Sequence, residues 1–462
     1  MSMRPRLHVQ NIFDALNPNG MGVSGDLKLR CLHLQKRVFA LAKPGDVVAV
    51  SADCSPAFVE YMTRTTSVSD VIPLRHQVSA DPQRNLNSQS VFEALAHSAH
   101  WEAARQRHPV LSPYIKSAEI YRVSETAGIA VSDSENQATK DVEFSDKMND
   151  KAVFYEECEE MGIPVPRHWV FNGRALADQV LQLLAVGHGP LILRQTRSGG
   201  TAGNITADRT VSKYRVPELR AGVLSDKEFV KVLQEFGRSS FSDQFVVTEF
   251  LDLYASPGTL FYSDEAGVTV ISHTYQILDK NRVFLGFSFP IEDERICGHF
   301  PSIEEWVHRL MEPWWQRGYR GYGNIDWMVT KDGESFLAER NARQTGVIPP
   351  LAIANALLGH DRASPCVVAP ETSIVTRDSL HVRKAMTFEQ VYGELEKRKL
   401  LWEQSDHGEG VIVSIPPSPE FGIHSIGILA IGASGSTAHE IHDQALHALG
   451  TAKSELLFAA ER

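Results

Sequence analysis

Gly323-Asn324-Ile325-Asp326-Trp327-Met328-Val329-Thr330-Lys331-Asp332-Gly333-Glu334-Ser335-Phe336-Leu337-Ala338-Glu339-Arg340-Asn341-Ala342-Arg343 reads as two strands around a tight turn. Asp-Gly at the centre of a two-residue loop is a strong hairpin signal, because both central positions of that turn need positive φ. With Asp332-Gly333 in that place, Lys331 faces Glu334 and Thr330 faces Ser335. Further out, Asp326 then faces Glu339, and Asn324 faces Asn341. Side chains alternate along a strand, so these four share one face. Ile325, Trp327, Val329, Phe336 and Ala338 take the other face, as a core. Directly opposed carboxylates repel, and a divalent cation between them removes that cost. Asp, Glu and an Asn carbonyl are hard oxygen ligands suited to Mg²⁺ shared with phosphates. Asp326, Glu339 and Asn341 are therefore the candidate metal ligands. Arg343 continues their face and is placed to hold an anion.

Upstream, Leu191-Ile192-Leu193-Arg194 reads as a strand running into Thr196-Arg197-Ser198-Gly199-Gly200-Thr201-Ala202-Gly203. A glycine-rich loop of this kind can cover phosphates with backbone N–H groups. No GxxxxGK[ST] occurs, so it is not a Walker loop. Ser145 or Asp146 is expected to cap one helix running to Met161, stopped by Gly162 and Pro164. A strand over 168–171, a helix over 175–186, a capping box at Ser225 and Glu228, and a strand over 245–251 follow. Residues 1–140 read as an α/β unit, with strands over 46–51 and 128–131 and a helix from Val91. Residues 366–462 read as a small α/β or β-rich region.

The composition bounds the function. The 462 residues carry 46 Lys+Arg against 57 Asp+Glu, a formal charge of −11. That balance argues against sequence-independent nucleic-acid binding, which needs a cationic surface, but leaves room for a local basic pocket. No apolar run is long enough for a membrane span, and the N-terminus lacks a secretory core, so a cytoplasmic protein is expected. The cysteines, 5 in number, are far apart and never in CxxC, so neither a disulfide framework nor a zinc site is indicated. Gly20-Met21-Gly22-Val23-Ser24-Gly25 fits GxGxxG but follows Asn17-Pro18-Asn19 instead of a strand, and reads as a loop. His97 and His100 lack a third ligand nearby. Gly432-Ala433-Ser434-Gly435 is not a nucleophile elbow. Cys54 has no partner histidine, and Trp314-Trp315 reads as packing at a helix end.

Taken together, these residues resemble an ATP-grasp carboxylate–amine ligase, most strongly over 145–350. In overall look the chain is most like the amino-acid and peptide ligases of natural-product pathways, of the pheganomycin peptide ligase type. The resemblance implies an α/β (α+β) ATP-grasp fold, with a pre-ATP-grasp domain at 1–140, subdomains at 141–240 and 241–365, and a C-terminal α/β region at 366–462. It implies that Lys147 and Arg194 contact ATP, Arg194 standing where the family has lysine. Ser198, Gly199 and Gly200 would cover the phosphates, and Glu249-Phe250-Leu251 would form the adenine hinge. The ribose contact falls to Ser256 or Asp252. Asp326, Glu339 and Asn341 match the family's metal ligands, with Mg²⁺ or Mn²⁺ as the ion. Arg343 would stabilise the carboxylate or acyl phosphate, with Arg282 and Lys280 as further candidates for that pocket. The implied partners are a small-molecule carboxylate and an amine, or a peptide, with no nucleic acid and no membrane; homodimers are common in the superfamily. The implied reaction is amide formation through an acyl phosphate. Two other readings stay open: a biotin-carboxylase-like or nucleotide-pathway ligase, and a nucleotide-binding protein without chemistry.

Overall fold

The structure is a computed structural model. It describes residues 4–12, 14, 25–51, 54–68, 70–76, 93, 96, 101–132, 142–197, 204–210, 213–215, 224–238, 243–279, 282, 284–358, 372–382, 385–405 and 407–451. The N-terminal strands β1 (Arg6–Val9), β2 (Val47–Ser51), β3 (Ile72–His76) and β4 (Val110–Pro113) form a parallel sheet in the order β3-β2-β1-β4. Leu7, Val9, Val47 and Leu111 are fully buried or nearly so, as parallel strands covered on both faces require. The strand expected at 128–131 is a single bridge, Leu111 to Val131. Gly128, at φ 66, instead ends the helix Ala118–Ala127 as its left-handed cap.

The next sheet is antiparallel. Its strands are β5 (His168–Asn172), β6 (Leu191–Gln195), β7 (Asn204–Thr210), β8 (Lys213–Arg215) and β9 (Gln244–Glu249), in the order β5-β9-β6-β7-β8. The helices Leu176–Ala185 and Asp226–Arg238 pack on it through Val180, Leu184, Phe229 and Leu233. Ser225 and Glu228 do form the expected reciprocal cap: Ser225 N donates to Glu228 Oε2 at 2.8 Å, and Glu228 N to Ser225 Oγ at 3.5 Å. The single helix expected from Ser145 is two helices, Val142–Met148 and Lys151–Glu160. Asp150 breaks it, since its carboxylate accepts from Ala152 N at 2.8 Å and caps the second helix.

The largest sheet joins two parts of the chain. It holds β10 (Leu253–Ala255), β11 (Pro257–Asp264), β12 (Gly267–Leu278), β13 (Phe284–Phe289), β14 (Gly321–Thr330), β15 (Ser335–Asn341), β16 (Ser373–His381), β17 (Gly410–Ile415) and β18 (Ser425–Gly432). Its order is β10-β14-β11-β12-β13-β16-β18-β17, with β15 on the free side of β14. The C-terminal strands thus extend the sheet that carries β14 and β15 through β13–β16 pairing. Phe58 of the N-terminal unit meets Phe388 of the C-terminal region edge to face, tying both parts of the chain into one core.

The hairpin reaches the expected pairing by a different route. Asp326 faces Glu339 and Asn324 faces Asn341, but Trp327 faces Leu337 and Val329 faces Ser335. The turn has three residues between Thr330 and Glu334: Gly333 N donates to Thr330 O at 3.0 Å, and Thr330 N to Glu334 O at 2.9 Å. Gly333 has φ 84, whereas Asp332 is not among the positive-φ residues. This is a type I turn closed by a glycine, which shifts the register by one residue. A bulge at Ala338 shifts it back. Between the two irregularities the faces exchange. Leu337 is therefore the fully buried core residue, while Phe336 and Ala338, expected there, are only half-buried.

Candidate functional site

The bulge leaves Asp326 and Glu339 opposed at the seam between the two antiparallel sheets. Asp326 is held by amide donors. Its Oδ1 accepts from Gln276 Nε2 and Asn324 Nδ2, each at 2.6 Å, and its Oδ2 from Asn341 Nδ2 at 2.9 Å. Burial first, and then the Glu339 charge, push its carboxyl up to about 7; Arg343 and the amide donors pull the other way. Glu339 meets a different partner: Lys151 Nζ lies 3.2 Å from Glu339 Oε1. That lysine side chain is 2% exposed. Burial lowers its pKa, Glu339 raises it, and the nearby Arg194 and Arg343 charges lower it further.

Lys151 is the residue that the sequence reading missed. Asp146-Lys147 and Asp150-Lys151 are the same dipeptide one helical turn apart. The structure turns Lys147 outward, half exposed and paired with Glu143 at 2.7 Å, whereas Lys151 follows the Asp150 cap and points into the site. The cap at Asp150 is the signal that separates the two. Lys151 N also donates to Thr196 O at 2.9 Å, and Arg197 reaches Asp150 and Asp146, so the same turn fixes the start of the glycine-rich loop. Ser198, Gly199 and Gly200 lie outside the described residues, as do Lys280, His97, His100 and all of 15–24.

Arg194 is buried on β6. It donates to Ala338 O at 3.3 Å and to the Tyr155 hydroxyl, and its guanidinium lies over the Tyr155 ring. The bulge that restores the hairpin register thus also supplies a carbonyl to this arginine. Arg340 alternates away from the cleft. It is buried, donates to Met148 O at 2.8 Å and to Glu157 Oε2 at 2.7 Å, and lies over the Trp314 ring. Arg343 donates to Asn149 Oδ1 at 3.0 Å and lines a cavity between the N-terminal sheet and β14.

The hinge follows β9. Glu249 Oε1 is 3.1 Å from His188 Nδ1, and Phe250 N donates to Pro190 O at 2.9 Å. Arg282 lies at this segment, whereas the sequence reading made it a candidate for the pocket of Arg343. Its guanidinium stacks 3.6 Å from the Phe250 ring centroid and donates to Leu251 O at 2.8 Å. Burial lowers its pKa to about 10, and Asp252 opposes that shift. Asp252 itself is exposed and bridges to Lys331 at 2.9 Å. The remaining motifs are structural. Ser434 caps the helix Gly435–Ala448, Cys54 is buried, and Trp314 Nε1 donates to Glu157.

The donor set fits a divalent cation of the Mg²⁺ kind. Two carboxylates and an Asn side chain converge, and Mg²⁺ usually takes one or two carboxylates and leaves other positions to water and phosphate. Among the described residues no cluster of three or more His, Cys, Asp or Glu forms an all-protein metal cage. No helix among them is long and apolar enough to cross a membrane.

No protein-family model matches this sequence, and no curated protein sequence does. Solved structures do match along the whole chain. Biotin carboxylase from Campylobacter jejuni, in a β-γ-ATP complex, is 13% identical at TM-score 0.57, covering 98% of this chain and 93% of that one. An L-amino acid ligase from Bacillus licheniformis is 12% identical at TM-score 0.53, covering 98% and 99%. An N5-carboxyaminoimidazole ribonucleotide synthetase, in an ADP complex, is 12% identical at TM-score 0.52, covering 97% and 98%. These likenesses establish the ATP-grasp fold.

Proposed function

We propose that this chain is an ATP-dependent carboxylate–amine ligase, acting on an amino acid or related acid. One observation carries the reading: Asp326 faces Glu339 at the seam of the two sheets, with Lys151 on Glu339 and Arg194 and Arg343 beside the pair. Opposed acids ringed by three buried or half-buried cations suit a metal-bound triphosphate better than a solvated surface. The hinge at Glu249–Leu251 would receive adenine, with Arg282 closing it from one side. Lys151 and Arg194 would neutralise phosphate oxygens, and Ser198, Gly199 and Gly200 would cover them. Asp326, Glu339 and Asn341 would hold Mg²⁺ or Mn²⁺, which when bound neutralises the phosphates.

The reaction balances without a covalent enzyme intermediate. A substrate carboxylate oxygen bonds to the γ-phosphorus as the bond to the β,γ-bridging oxygen breaks, giving ADP and an acyl phosphate. The amine nitrogen then adds to the acyl carbon, phosphate leaves, and the amine proton passes to solvent. The protein's part is positioning and charge stabilisation. Arg343, between the phosphate side and the cavity, would hold the carboxylate in line and then the acyl phosphate. The L-amino acid ligase neighbour supports a peptide or amide product, the chemistry of a natural-product ligase. The test is a matrix of acids and amines assayed for ADP and phosphate, with mass spectrometry of products. Phosphate release that needs both substrates, with a condensed product, supports the reading. Nucleotide binding without turnover on any pair would overturn it.

A further inference from the structure

The hydrogen bonds of Asp326 are unevenly shared between its two oxygens. Oδ1 accepts from Gln276 Nε2 and from Asn324 Nδ2, each at 2.6 Å, whereas Oδ2 accepts from Asn341 Nδ2 alone, at 2.9 Å. An ionised carboxylate has about four lone-pair sites, divided between its two oxygens. Both sites on Oδ1 are thus filled by amide donors, and the one left open lies on Oδ2. The fold is shaped for this arrangement. Gln276 is on β12 and Asp326 on β14, with β11 between them. The β11 residue opposite Asp326 is Gly258. A Cβ added there would stand 3.3 Å from Gln276 Nε2, 3.3 Å from Asn324 Nδ2 and 3.2 Å from Asn324 Oδ1, closer than such atoms ordinarily approach. The missing side chain lets both amides close over β11 onto one oxygen. Asn324 gives its N–H to Asp326 even though its own Oδ1 is then buried without a hydrogen-bond partner among the described residues. An orphaned acceptor is destabilising, so the orientation answers to Asp326 and not to Asn324 itself.

We propose that Gln276 and Asn324 determine the metal specificity of this site: by filling Oδ1 they leave Asp326 a one-oxygen ligand, which favours a small six-coordinate cation such as Mg²⁺ or Mn²⁺ over Ca²⁺. The inference rests on the reading that Asp326 and Glu339 hold the metal. Ca²⁺ takes about six to eight oxygens and often uses both oxygens of one carboxylate. Mg²⁺ keeps octahedral geometry with one or two carboxylates, and takes its other oxygens from water and phosphate. A carboxylate confined to one oxygen therefore takes nothing from Mg²⁺ and denies Ca²⁺ a ligand. Asn341 fits the same count. Its N–H steadies Oδ2 and leaves its carbonyl oxygen for the cation as a neutral ligand.

The test is competition for bound Mn²⁺, which does not depend on turnover. The full-length protein is loaded with Mn–ADP at a pH well above the value of about 7 to which Asp326 is pushed, so that its carboxyl is ionised. Mg²⁺ and Ca²⁺ are then titrated in separately, and released Mn²⁺ is read by electron paramagnetic resonance. The ratio of the two displacement constants is compared with the ratio for ADP alone. The wild type should favour Mg²⁺ over Ca²⁺ by at least about ten-fold more than ADP alone does, a preference of about 1.4 kcal/mol. Gln276→Met, which keeps an unbranched side chain but no donor, and Asn324→Ala should each move the ratio toward Ca²⁺. Gly258→Ala keeps both amides but wedges them off Oδ1, and should move it the same way. Thermal melts and metal-free ADP affinity select the variants that are folded. A wild-type ratio equal to that of ADP alone, or a ratio unmoved in every folded variant, overturns the inference. The two proposals fail separately. Mg²⁺-selective, Gln276-dependent binding with no phosphate release in any acid–amine pair removes the ligase reading alone. Condensation of an acid with an amine, without the metal preference, removes this inference alone.

Discussion

The β14–β15 hairpin and the cavity beyond Arg343 are opposite in charge and in origin. The hairpin concentrates its acids within 21 residues, Gly323 to Arg343, and one register sets them face to face. The cavity collects its cations from β1, the turn before β2, the segment after β4, and both ends of the hairpin segment. Burial first, and then the charge of the opposed Glu339, push Asp326 up to about 7. The cavity, by contrast, has five cations and no carboxylate among its described lining residues. On the proposed function, metal and phosphates would belong to the first region, and the substrate carboxylate would meet Arg343 on the side of the second.

The sharpest break in that contrast comes from the acids. Asp326→Asn and Glu339→Gln should each lower ADP formation by about 10²–10³, the usual loss for one electrostatic contact at a reacting group. Thermal melts should separate them. Asp326→Asn removes the repulsion with Glu339, and Asn341 can turn its amide to suit the new side chain, so stability should hold. Glu339→Gln takes from the buried Lys151 the carboxylate 3.2 Å from its Nζ and should lower the melting temperature. Equal melts for both variants would break the assignment of Lys151 to Glu339.

The lysines sharpen the same comparison. Lys151→Met should reduce turnover on the order of 10²-fold, whereas Lys147→Met should leave it unchanged, since that side chain is paired on the surface with Glu143. Steady-state ADP release with each variant decides between them.

On the basic side, Asp46 is the group to titrate. Burial raises its pKa, but the hydrogen bond and charge of His8, with the Arg6 and Lys43 backbone donors, outweigh burial and hold it below the ordinary value of 3.8. Its contribution to stability is therefore complete above pH 3.8 and fades as pH falls through the lowered folded-state value. Asp46→Asn should lose that stabilisation at neutral pH and flatten the acid limb of the melting curve. Parallel acid limbs for the two proteins would contradict it. The smallest effect is expected at the turn. Gly333 sits at φ 84 with nothing within 4 Å of an added Cβ, so Gly333→Ala should cost only the backbone penalty, about 1 kcal/mol in a denaturant melt.

These two regions also show what the chain makes readable. The Asp326–Glu339 pairing follows from a local turn and a strict alternation, and it survives because the three-residue turn and the Ala338 bulge offset each other. Trp327 and Val329 keep the expected buried face on β14, but on β15 Leu337 takes the place of Phe336 and Ala338. Lys151 escapes the sequence reading because the two Asp-Lys pairs are identical until one sees which Asp caps a helix. Arg282 sits at the hinge because β12 and β13 fold back beside Phe250 and Leu251, a tertiary fact with no local signature. The cavity was invisible for the same reason: no pair of its basic residues is close enough in sequence to form a motif.

The most direct measurement is relaxation of water protons by Mn²⁺ in the presence of ADP. It should be made with the wild-type protein and with the Asp326→Asn, Glu339→Gln double variant, at ADP concentrations that saturate both by calorimetry. The account predicts a protein-bound Mn–ADP enhancement in the wild type that is lost in the double variant while ADP itself still binds at the hinge. The same enhancement in both proteins would show that the opposed carboxylates of the hairpin do not hold the metal.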